Sequence, residues 1–423
     1  MRKTFQGYYR PSEKEFEQLW ARCLFVPDAN VLLNLYRYSD KTTDKLLQIL
    51  SKLGSRLWVP HQAAFEYQKN RLAVISAQRD AYKKIEHLLE ESSRRLESEL
   101  NEFRRHPLID ADGLLRQIAG SYEEQKRMLA GIKQNHPDLI AEDTVRRKLT
   151  TLLDGKIGSA FQDERLKEVL HEADGRYAKS IPPGYKDQKT KDGDRAYGDV
   201  VLWYQIIEKA TKEKKPIILI TDDSKEDWWW KHEGKALGPR PELVEEMHSR
   251  AGVGFYMYAS DQFMQYASRF LKEQIDQKAI DEVREVRHQN EDRARRHALS
   301  LLAARDEEAR KLDTERFSLS REIEDVRSEL AEYSRQQAEV GVLFPEEGER
   351  QLQFDRMLEQ NRQRAHERLS LLMARVRDIE KRASALEQTR VALHNELRHL
   401  ELPRRSEAGR THRSREAHRL SDG

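Results

Sequence analysis

Short, continuous apolar runs that end in turn residues mark the first part of the chain. Three of them, each followed by a helix-like stretch, are Cys23–Pro27, Arg56–Pro60 and Pro216–Thr221, and a shorter one is Gly254–Tyr258. Strands that are buried on both faces of a parallel sheet have such uninterrupted apolar sequences, and a helix usually connects them. The pattern therefore predicts an α/β fold in which helices flank a parallel sheet.

The stretch between the second and third runs is much longer than a crossover needs. Apolar residues recur at helical spacing among charges from Tyr82 to Phe103, and Pro107 and Pro137 divide the stretch into separate helices. We therefore expect a helical subdomain, at about residues 70–175, inserted in a domain that spans residues 1–275. The loop that follows the insertion contains Pro-Pro-Gly and Asp-Gly, which are typical of irregular structure.

Residues 276–402 have a different pattern, in which apolar positions alternate between steps of three and four residues. The alternation covers residues 312–340 and 365–400. A mean repeat near 3.5 residues predicts a left-handed coiled coil. The interruption at residues 341–348 favours two helices that fold back as an antiparallel hairpin, although dimerisation of two chains would bury the same positions.

The composition supports this division. Charged residues make up 35% of the 423 residues and apolar residues 38%, so part of the chain is not packed as a globular core. Lysine plus arginine (76) and aspartate plus glutamate (74) nearly cancel, which excludes a global basic field. Residues 403–423 carry six arginines against three acids and predict a disordered basic tail, with a nucleic-acid tether as the alternative.

Cysteine content and apolar runs indicate the compartment. The single cysteine, Cys23, excludes a disulfide framework and a cysteine-based zinc site. The N-terminal sequence lacks the apolar core of a signal peptide, and no apolar run approaches the ~18 residues of a membrane span. We therefore expect a soluble, cytoplasmic protein without a membrane partner.

Carboxylates follow the predicted strands at the points where ligands bind. Asp28 comes directly after the first run, and Asp222 and Asp223 follow the third. Open α/β sheets bind ligands outside the carboxyl ends of their strands. Glu66 follows the second run, and Asp199 opens a later helix. Structural roles remain open, because Asp28 is also a good N-cap and the helix dipole favours an acid such as Asp199 in a first turn.

Adjacent carboxylates are harder to explain by structure alone. Two like charges ~4 Å apart repel by about 4 kcal/mol at an effective dielectric constant of ~20, so a cluster needs a cation or an arginine. Mg²⁺ and Mn²⁺ prefer carboxylate oxygens, and two such ions can hold the attacking and leaving oxygens of a phosphodiester. Glu66, among Ala64, Phe65 and Tyr67, is also unfavourable unless it is paired or bound to a metal.

Four segments together resemble the PIN-like nuclease family: VPDANVLLNLY, VPHQAAFEY, YGDVVLWYQII and LITDDSKEDWW. The resemblance implies a PIN-like fold and a Mg²⁺ or Mn²⁺ site that hydrolyses phosphodiesters. By position, its ligands and catalytic residues would be Asp28, Glu66, Asp199 and Asp223, with Asp222 as an alternative fourth ligand. The chain also looks like bacterial members with a large helical insertion, several of which resemble components of phage-defence or toxin-like systems.

The loop before Asp199 combines cations with tyrosines, as single-strand binding sites do, although its acids are equally compatible with a solvated loop. Trp228 would stack on a base or pack in the core, and Arg240 would hold a phosphate or cap a neighbour. Asn30 matches the family's asparagine two places after the first aspartate. The candidate nucleic-acid contacts are Asn30, Lys186, Lys189, Arg195, Trp228 and Arg240.

These features lead to the hypothesis of a metal-dependent endonuclease that acts on RNA rather than DNA. The coiled coil would serve self-association or bind a regulatory protein. The alternatives are a non-catalytic nucleic-acid-binding scaffold or sensor and a structure-specific DNA nuclease. An arginine or lysine head buried among the four acids as a permanent counter-ion, or Glu66 on the far side of the molecule from Asp28, would refute the hydrolase hypothesis.

Overall fold

A computed structural model describes residues 1–2, 4–135, 137–186, 196–233, 235–343 and 348–400. The chain divides into two compact units, Met1–Asn290 and Glu291–Gly423. Short 3₁₀ turns lie at Gln6–Tyr8 and Gly54–Arg56. The described helices are α1 (Glu13–Arg22), α2 (Ala29–Asn34), α3 (Asp40–Lys52), α4 (His61–Asn101), α5 (Ala111–Gln134), α6 (Thr144–Leu153), α7 (Asp163–Ala178), α8 (Gly198–Glu213), α9 (Pro241–Ala251), α10 (Ser260–Phe270), α11 (Gln277–Leu343) and α12 (Gly348–Leu400).

A parallel sheet forms the centre of the first unit and confirms the predicted fold class. Its strands are β1 (Leu24–Pro27), β2 (Ile217–Ile220) and β5 (Phe255–Tyr258), in the order β1-β2-β5. Every residue of the three strands is buried, which explains their uninterrupted apolar sequences. A separate antiparallel pair, β3 (Trp229–His232) and β4 (Lys235–Pro239), follows β2.

The register of the sheet brings three chain segments to one edge. Pro27 pairs with Ile220, and Ile220 pairs with Tyr258, so the three strands end level with one another. The residues that follow each strand therefore lie side by side, as expected for the carboxyl edge of a parallel sheet.

The second apolar run differs from the prediction, since it does not form a regular strand. Leu57 makes a single parallel bridge with Phe25, and Val59 makes one with Ile157. The N–H of Trp58 donates to the carbonyl of Phe25 at 3.0 Å, but the next N–H in this run donates to Lys156 instead. The run changes its partner after one residue, so no ladder develops before Pro60 leads into α4.

The helices of the predicted insertion begin with α4, whose start at His61 lies in this core. The first turns of α4 bury Ala63 and Tyr67, and α5 packs against its later turns, with ion pairs such as Lys133 to Glu86 at 3.0 Å. A buried polar network ties α4 to the start of α6. In it, the hydroxyl of Tyr36 donates to Asp143 at 3.0 Å, and Arg71 pairs with the same carboxylate.

The second unit confirms the predicted helical hairpin. Its buried positions recur every seven residues at Leu312, Leu319 and Val326 of α11 and at Leu372 and Ile379 of α12. Ion pairs join Asp306 to Arg390 and Glu329 to Arg368, so the two helices run antiparallel.

Two segments predicted from the sequence lie partly or wholly outside the described residues. α11 continues as far as Leu343 and α12 begins at Gly348, so residues 344–347 of the predicted break lie outside the described residues. The predicted tail, 403–423, also lies outside them. Across the part of the chain that the structure describes, no helix combines the length and apolarity that a membrane span requires.

Candidate active site

Asp28 lies where β1 ends at the carboxyl edge of the sheet. Its N–H donates to the carbonyl of Ile220 at 2.9 Å, which continues the pairing of β1 with β2. Its carboxylate caps α2 by accepting from the N–H of Ala29 at 2.7 Å through Oδ1. The other oxygen, Oδ2, accepts from Asn30 Nδ2 at 2.7 Å and from Thr221 Oγ1 at 2.8 Å. Asp28 is thus an N-cap and also a member of the edge at which ligands bind.

The electrostatics of Asp28 show that its negative charge is poorly balanced. Burial, and then the nearby charges of Glu66 and Asp223, raise the pKa of Asp28 to about 7. Hydrogen bonds from Thr221 and Ala29 lower this pKa but do not cancel the increase. The charge of Glu66 therefore acts on the carboxyl group of Asp28.

Glu66 reaches this edge from the second turn of α4. Its Oε1 accepts from Gln62 Nε2 at 2.7 Å. The same oxygen lies against the backbone of Gly198, where a Cβ atom would come within 2.8 Å of it. Since Gly198 is the first residue of α8, Glu66 packs directly beside the residue that precedes Asp199.

Asp199 lies in the first turn of α8 with a side chain that is only 18% exposed. The loop containing Gly184 covers it. Gly184 has a φ of +89°, and a Cβ there would lie 2.6 Å from Tyr177 Oη and 2.9 Å from Asp199 Cβ. Glycine is required at position 184 because of both its backbone conformation and this close approach.

The adjacent Asp222 and Asp223 have different surroundings. Asp222 accepts from the N–H of Ser260 at 2.9 Å through Oδ1, and from Ser260 Oγ at 2.9 Å and Asn34 Nδ2 at 2.8 Å through Oδ2. It therefore holds the start of α10 against the sheet. Burial raises the pKa of Asp222, although these hydrogen bonds and the charge of Arg287 oppose the increase.

Asp223 faces the other acids instead. Its charge is among those that raise the pKa of Asp28, and its Oδ1 accepts from the N–H of Lys225 at 2.9 Å. This contrast favours Asp223 over Asp222 as the fourth ligand of the predicted site.

A cation lies between two of the acids. Lys225 Nζ is 3.0 Å from Asp223 Oδ2 and 3.5 Å from Asp199 Oδ2. Its side chain is 34% exposed, so this counter-ion of two of the four acids is partly accessible to solvent.

The donor set fits a hard divalent cation, although it does not form a finished cage. Three kinds of interaction connect the four carboxylates. The charges of Glu66 and Asp223 act on Asp28, and Glu66 lies against the first residue of α8. Lys225 forms ion pairs with both Asp199 and Asp223. Among the described residues, no three His, Cys, Asp or Glu side chains are already placed to enclose an ion. Mg²⁺ keeps several waters and is usually held by one or two carboxylates with substrate phosphates, so its binding requires no closed cage.

The predicted nucleic-acid contacts have mixed locations. Asn30 is engaged in joining the strand ends, since it donates to Asp28 and Thr221 and accepts from the N–H of Asp222 at 3.0 Å. Trp228 is 2% exposed and packs edge-to-face on Trp203, which argues against a base-stacking role for its ring.

Two of the cationic candidates already pair with acids. Lys186 pairs with Glu226 at 2.5 Å, and Arg240 makes two contacts with Glu242, at 2.6 and 3.0 Å. Lys189 and Arg195 lie outside the described residues.

Some residues that shape the site were not identified from the sequence. Lys225 is three residues beyond Asp222 in the segment LITDDSKEDWW, but its sequence position does not reveal which carboxylates it reaches. The close approaches of Gly184 and Gly198 depend on how separate loops meet. Two sequence features do point to residues that shape the site. Thr221 lies two places before Asp223, and Gly184 lies in a Pro-Pro-Gly turn.

The sequence matches the family described as PIN like domain over residues 24–243, which is more than half of the chain. The protein therefore belongs to the PIN-like domain family. Domains of this family are generally nucleases and typically use divalent metals, so membership supports a nuclease-type function that acts on nucleic acid. No curated protein and no solved structure matches the chain.

The contrast between the adjacent aspartates can be measured. We expect Asp222→Ala to lower the free energy of unfolding by about 1–3 kcal/mol, because it leaves the buried donors of Ser260 and Asn34 unpaired. Asp223→Ala should cost less stability but abolish Mn²⁺ binding. Urea unfolding followed by tryptophan fluorescence reports on the first unit, which contains all six tryptophans. Loss of Mn²⁺ binding in Asp222→Ala, but not in Asp223→Ala, would reverse the assignment.

The close approach of Gly184 to Asp199 gives a second test. Gly155→Ala is the matched control, since Gly155 also has a positive φ, +68°, but no atom lies within 4 Å of its Cβ position. Both variants should lose about 1–2 kcal/mol of stability through backbone strain, and Gly184→Ala should lose more because its Cβ displaces Tyr177 and Asp199. Only Gly184→Ala should also weaken Mn²⁺ binding, by about tenfold or more, because it displaces Asp199. Equal Mn²⁺ affinity in the two variants, measured by titration calorimetry, would show that this contact does not position Asp199.

Proposed function

We propose that this protein is a Mg²⁺- or Mn²⁺-dependent endonuclease that hydrolyses single-stranded RNA. The observation that carries the proposal is the poorly balanced charge of Asp28, whose pKa is raised to about 7 in the company of Glu66 and Asp223. A group of carboxylates in this state gains free energy when a divalent cation joins it. Perturbed carboxylates at the carboxyl edge of an α/β sheet are also typical of functional sites.

The chain's own residues would divide the work of such a site. Asp28, Glu66, Asp199 and Asp223 would hold the metal, which when bound supplies an activated water and neutralises charge on the phosphate. Thr221 and Asn30 fix the carboxylate of Asp28 through hydrogen bonds of 2.8 and 2.7 Å. The carboxylate is therefore oriented before substrate binds. Such preorganisation favours electrostatic catalysis, because the charged groups need not rearrange during the reaction.

An exposed aromatic surface next to Glu66 supports a single-stranded substrate. Phe65 is 51% exposed, and its ring lies parallel to that of His61, with centroids 6.3 Å apart and planes at 10°. Lys69 Nζ lies 5.8 Å from the centre of the same ring. Aromatic rings with neighbouring cations bind unstacked bases and the phosphates that connect them.

A non-catalytic role is the second candidate, and Lys225 is the observation that favours it. Its ammonium already offsets part of the charge of Asp199 and Asp223, as it would in a domain that binds nucleic acid without cutting it.

For the nuclease we propose that the hairpin of α11 and α12 serves self-association or binds a regulatory partner, as a toxin-like or antiviral effector would need.

Cleavage of labelled single-stranded RNA tests the proposed activity. We expect cleavage with Mg²⁺ or Mn²⁺, none with a chelator, and weaker cleavage of DNA of the same sequence. Asp28→Asn and Asp223→Asn should each lower the rate by about 100-fold or more, the size of loss seen when one electrostatic group of a catalytic site is removed. Asp112→Asn, at an exposed position of α5, is the control and should match the unaltered protein. Metal-independent cleavage, or activity that survives both site variants, would refute the assignment.

The aromatic surface can be tested separately from the metal site. Phe65→Ala should raise the KM for single-stranded RNA by about 5- to 150-fold, since stacking contributes ~1–3 kcal/mol per base. Phe65→Trp should keep the KM close to that of the unaltered protein, because it retains an aromatic face. Leu72→Ala is the control, as Leu72 is similarly exposed (49%) on the same helix. If Phe65→Ala and Leu72→Ala give the same KM, Phe65 does not contact the substrate.

A further inference from the structure

Lys225 occupies the position of a cation within the proposed metal site. Its Nζ lies within 3.5 Å of carboxylate oxygens from two separate elements, the first turn of α8 (Asp199) and the segment after β2 (Asp223). The backbone N–H of the same residue donates to Asp223 Oδ1 at 2.9 Å, so the base of the side chain is anchored beside the site. The ammonium therefore reduces repulsion between two acids that the fold has brought together.

The properties of this lysine favour an exchangeable cation. Its side chain is 34% exposed, and a lysine stem is flexible, so the ammonium can withdraw towards solvent while the backbone stays in place. A divalent ion brings twice the charge to the same carboxylates and binds them directly.

We propose that Lys225 is an internal competitor of the divalent cation, which stabilises the metal-free site and is displaced when metal binds. The proposal rests on the proposed function, because it assumes that Asp199 and Asp223 hold a divalent ion. It assigns Lys225 as a positioning residue that acts through these two carboxylates. It also means that the lysine sets the metal concentration at which the site fills, since binding must first release the ammonium.

Competition predicts opposite effects of one substitution on the metal-free and metal-bound protein. Lys225→Met removes the ammonium group but keeps an unbranched side chain of nearly the same length and the backbone hydrogen bond. The variant should have a lower Tm without metal, because Asp199 and Asp223 then repel each other without compensation. It should bind Mn²⁺ about tenfold more tightly, a difference of ~1.4 kcal/mol, and so gain more Tm from a given Mn²⁺ concentration.

The experiment compares the full-length protein with three variants by Mn²⁺ titration calorimetry and by thermal unfolding with and without Mn²⁺. Lys225→Arg keeps the charge and should retain an Mn²⁺ affinity close to that of the unaltered protein. Lys215→Met is the matched control, since Lys215 makes a similar ion pair, 2.9 Å from Glu213, with a side chain 43% exposed. It should leave Mn²⁺ affinity unchanged.

The outcomes separate this inference from the proposed function. If Lys225→Met lowers the Tm without tightening Mn²⁺ binding, the lysine is only a structural partner and the inference is overturned. If Mn²⁺ affinity is unchanged and only the KM for RNA rises, Lys225 contacts substrate instead, which also overturns it. If Lys225→Met binds Mn²⁺ but the unaltered protein neither binds Mn²⁺ nor cleaves RNA, competition holds and the nuclease proposal fails. If neither protein binds Mn²⁺, both fail.

Discussion

The hydrogen bond from Thr221 to Asp28 is the contact on which the rest of the candidate site depends. It joins the ends of β1 and β2, which lie almost two hundred positions apart in the chain but side by side in the sheet. Asn30 strengthens the join, because its amide contacts Asp28, Thr221 and the N–H of Asp222. With the strand ends fixed in this way, Asp28 and Asp223 are held near each other despite their like charges. The favourable free energy of pairing the two parallel strands thus offsets the repulsion between the carboxylates at this edge.

That concentration of charge gives the proposed site a reason to hold a cation, whether an ammonium group or a metal ion. Hydrogen bonds from neutral donors orient Asp28 but leave its pKa raised to about 7, so they compensate its burial only in part. The opposite side of the site is compensated differently, by the ammonium of Lys225 between Asp199 and Asp223. Both observations follow from one cause, namely that the fold brings carboxylates together more closely than their hydration would favour. A divalent ion would offset the same repulsion between carboxylates with a larger charge.

The sequence predicts the sheet side of this site, where Asp28 and Asp223 follow β1 and β2, better than the helical side, where Glu66 and Asp199 lie on α4 and α8. Buried parallel strands have a simple signature, so Cys23–Pro27 and Pro216–Thr221 located β1 and β2, and the acids that follow them had to share an edge. The run Arg56–Pro60 has the same signature but changes its pairing partner after one residue, which only the tertiary structure decides. Likewise, Asp222 and Asp223 are equivalent in sequence. Their roles separate because successive side chains point in different directions, one towards Ser260 and the other towards Lys225.

The helical side is held by tertiary contacts that have no local sequence signature. Asp227, which is fully buried, holds the loop around Gly184. Its Oδ2 accepts hydrogen bonds from the N–H of Gly184 at 3.0 Å and from the N–H of Lys186 at 3.3 Å. Arg176 secures the same loop through the carbonyl of Pro182. Asp199 therefore depends on a loop that is itself held by buried charged side chains, whereas Asp28 depends on the sheet. Because buried charges are strongly destabilising once a partner is lost, changes at Asp227 or Arg176 should disturb the Asp199 side while leaving the geometry of Asp28 intact.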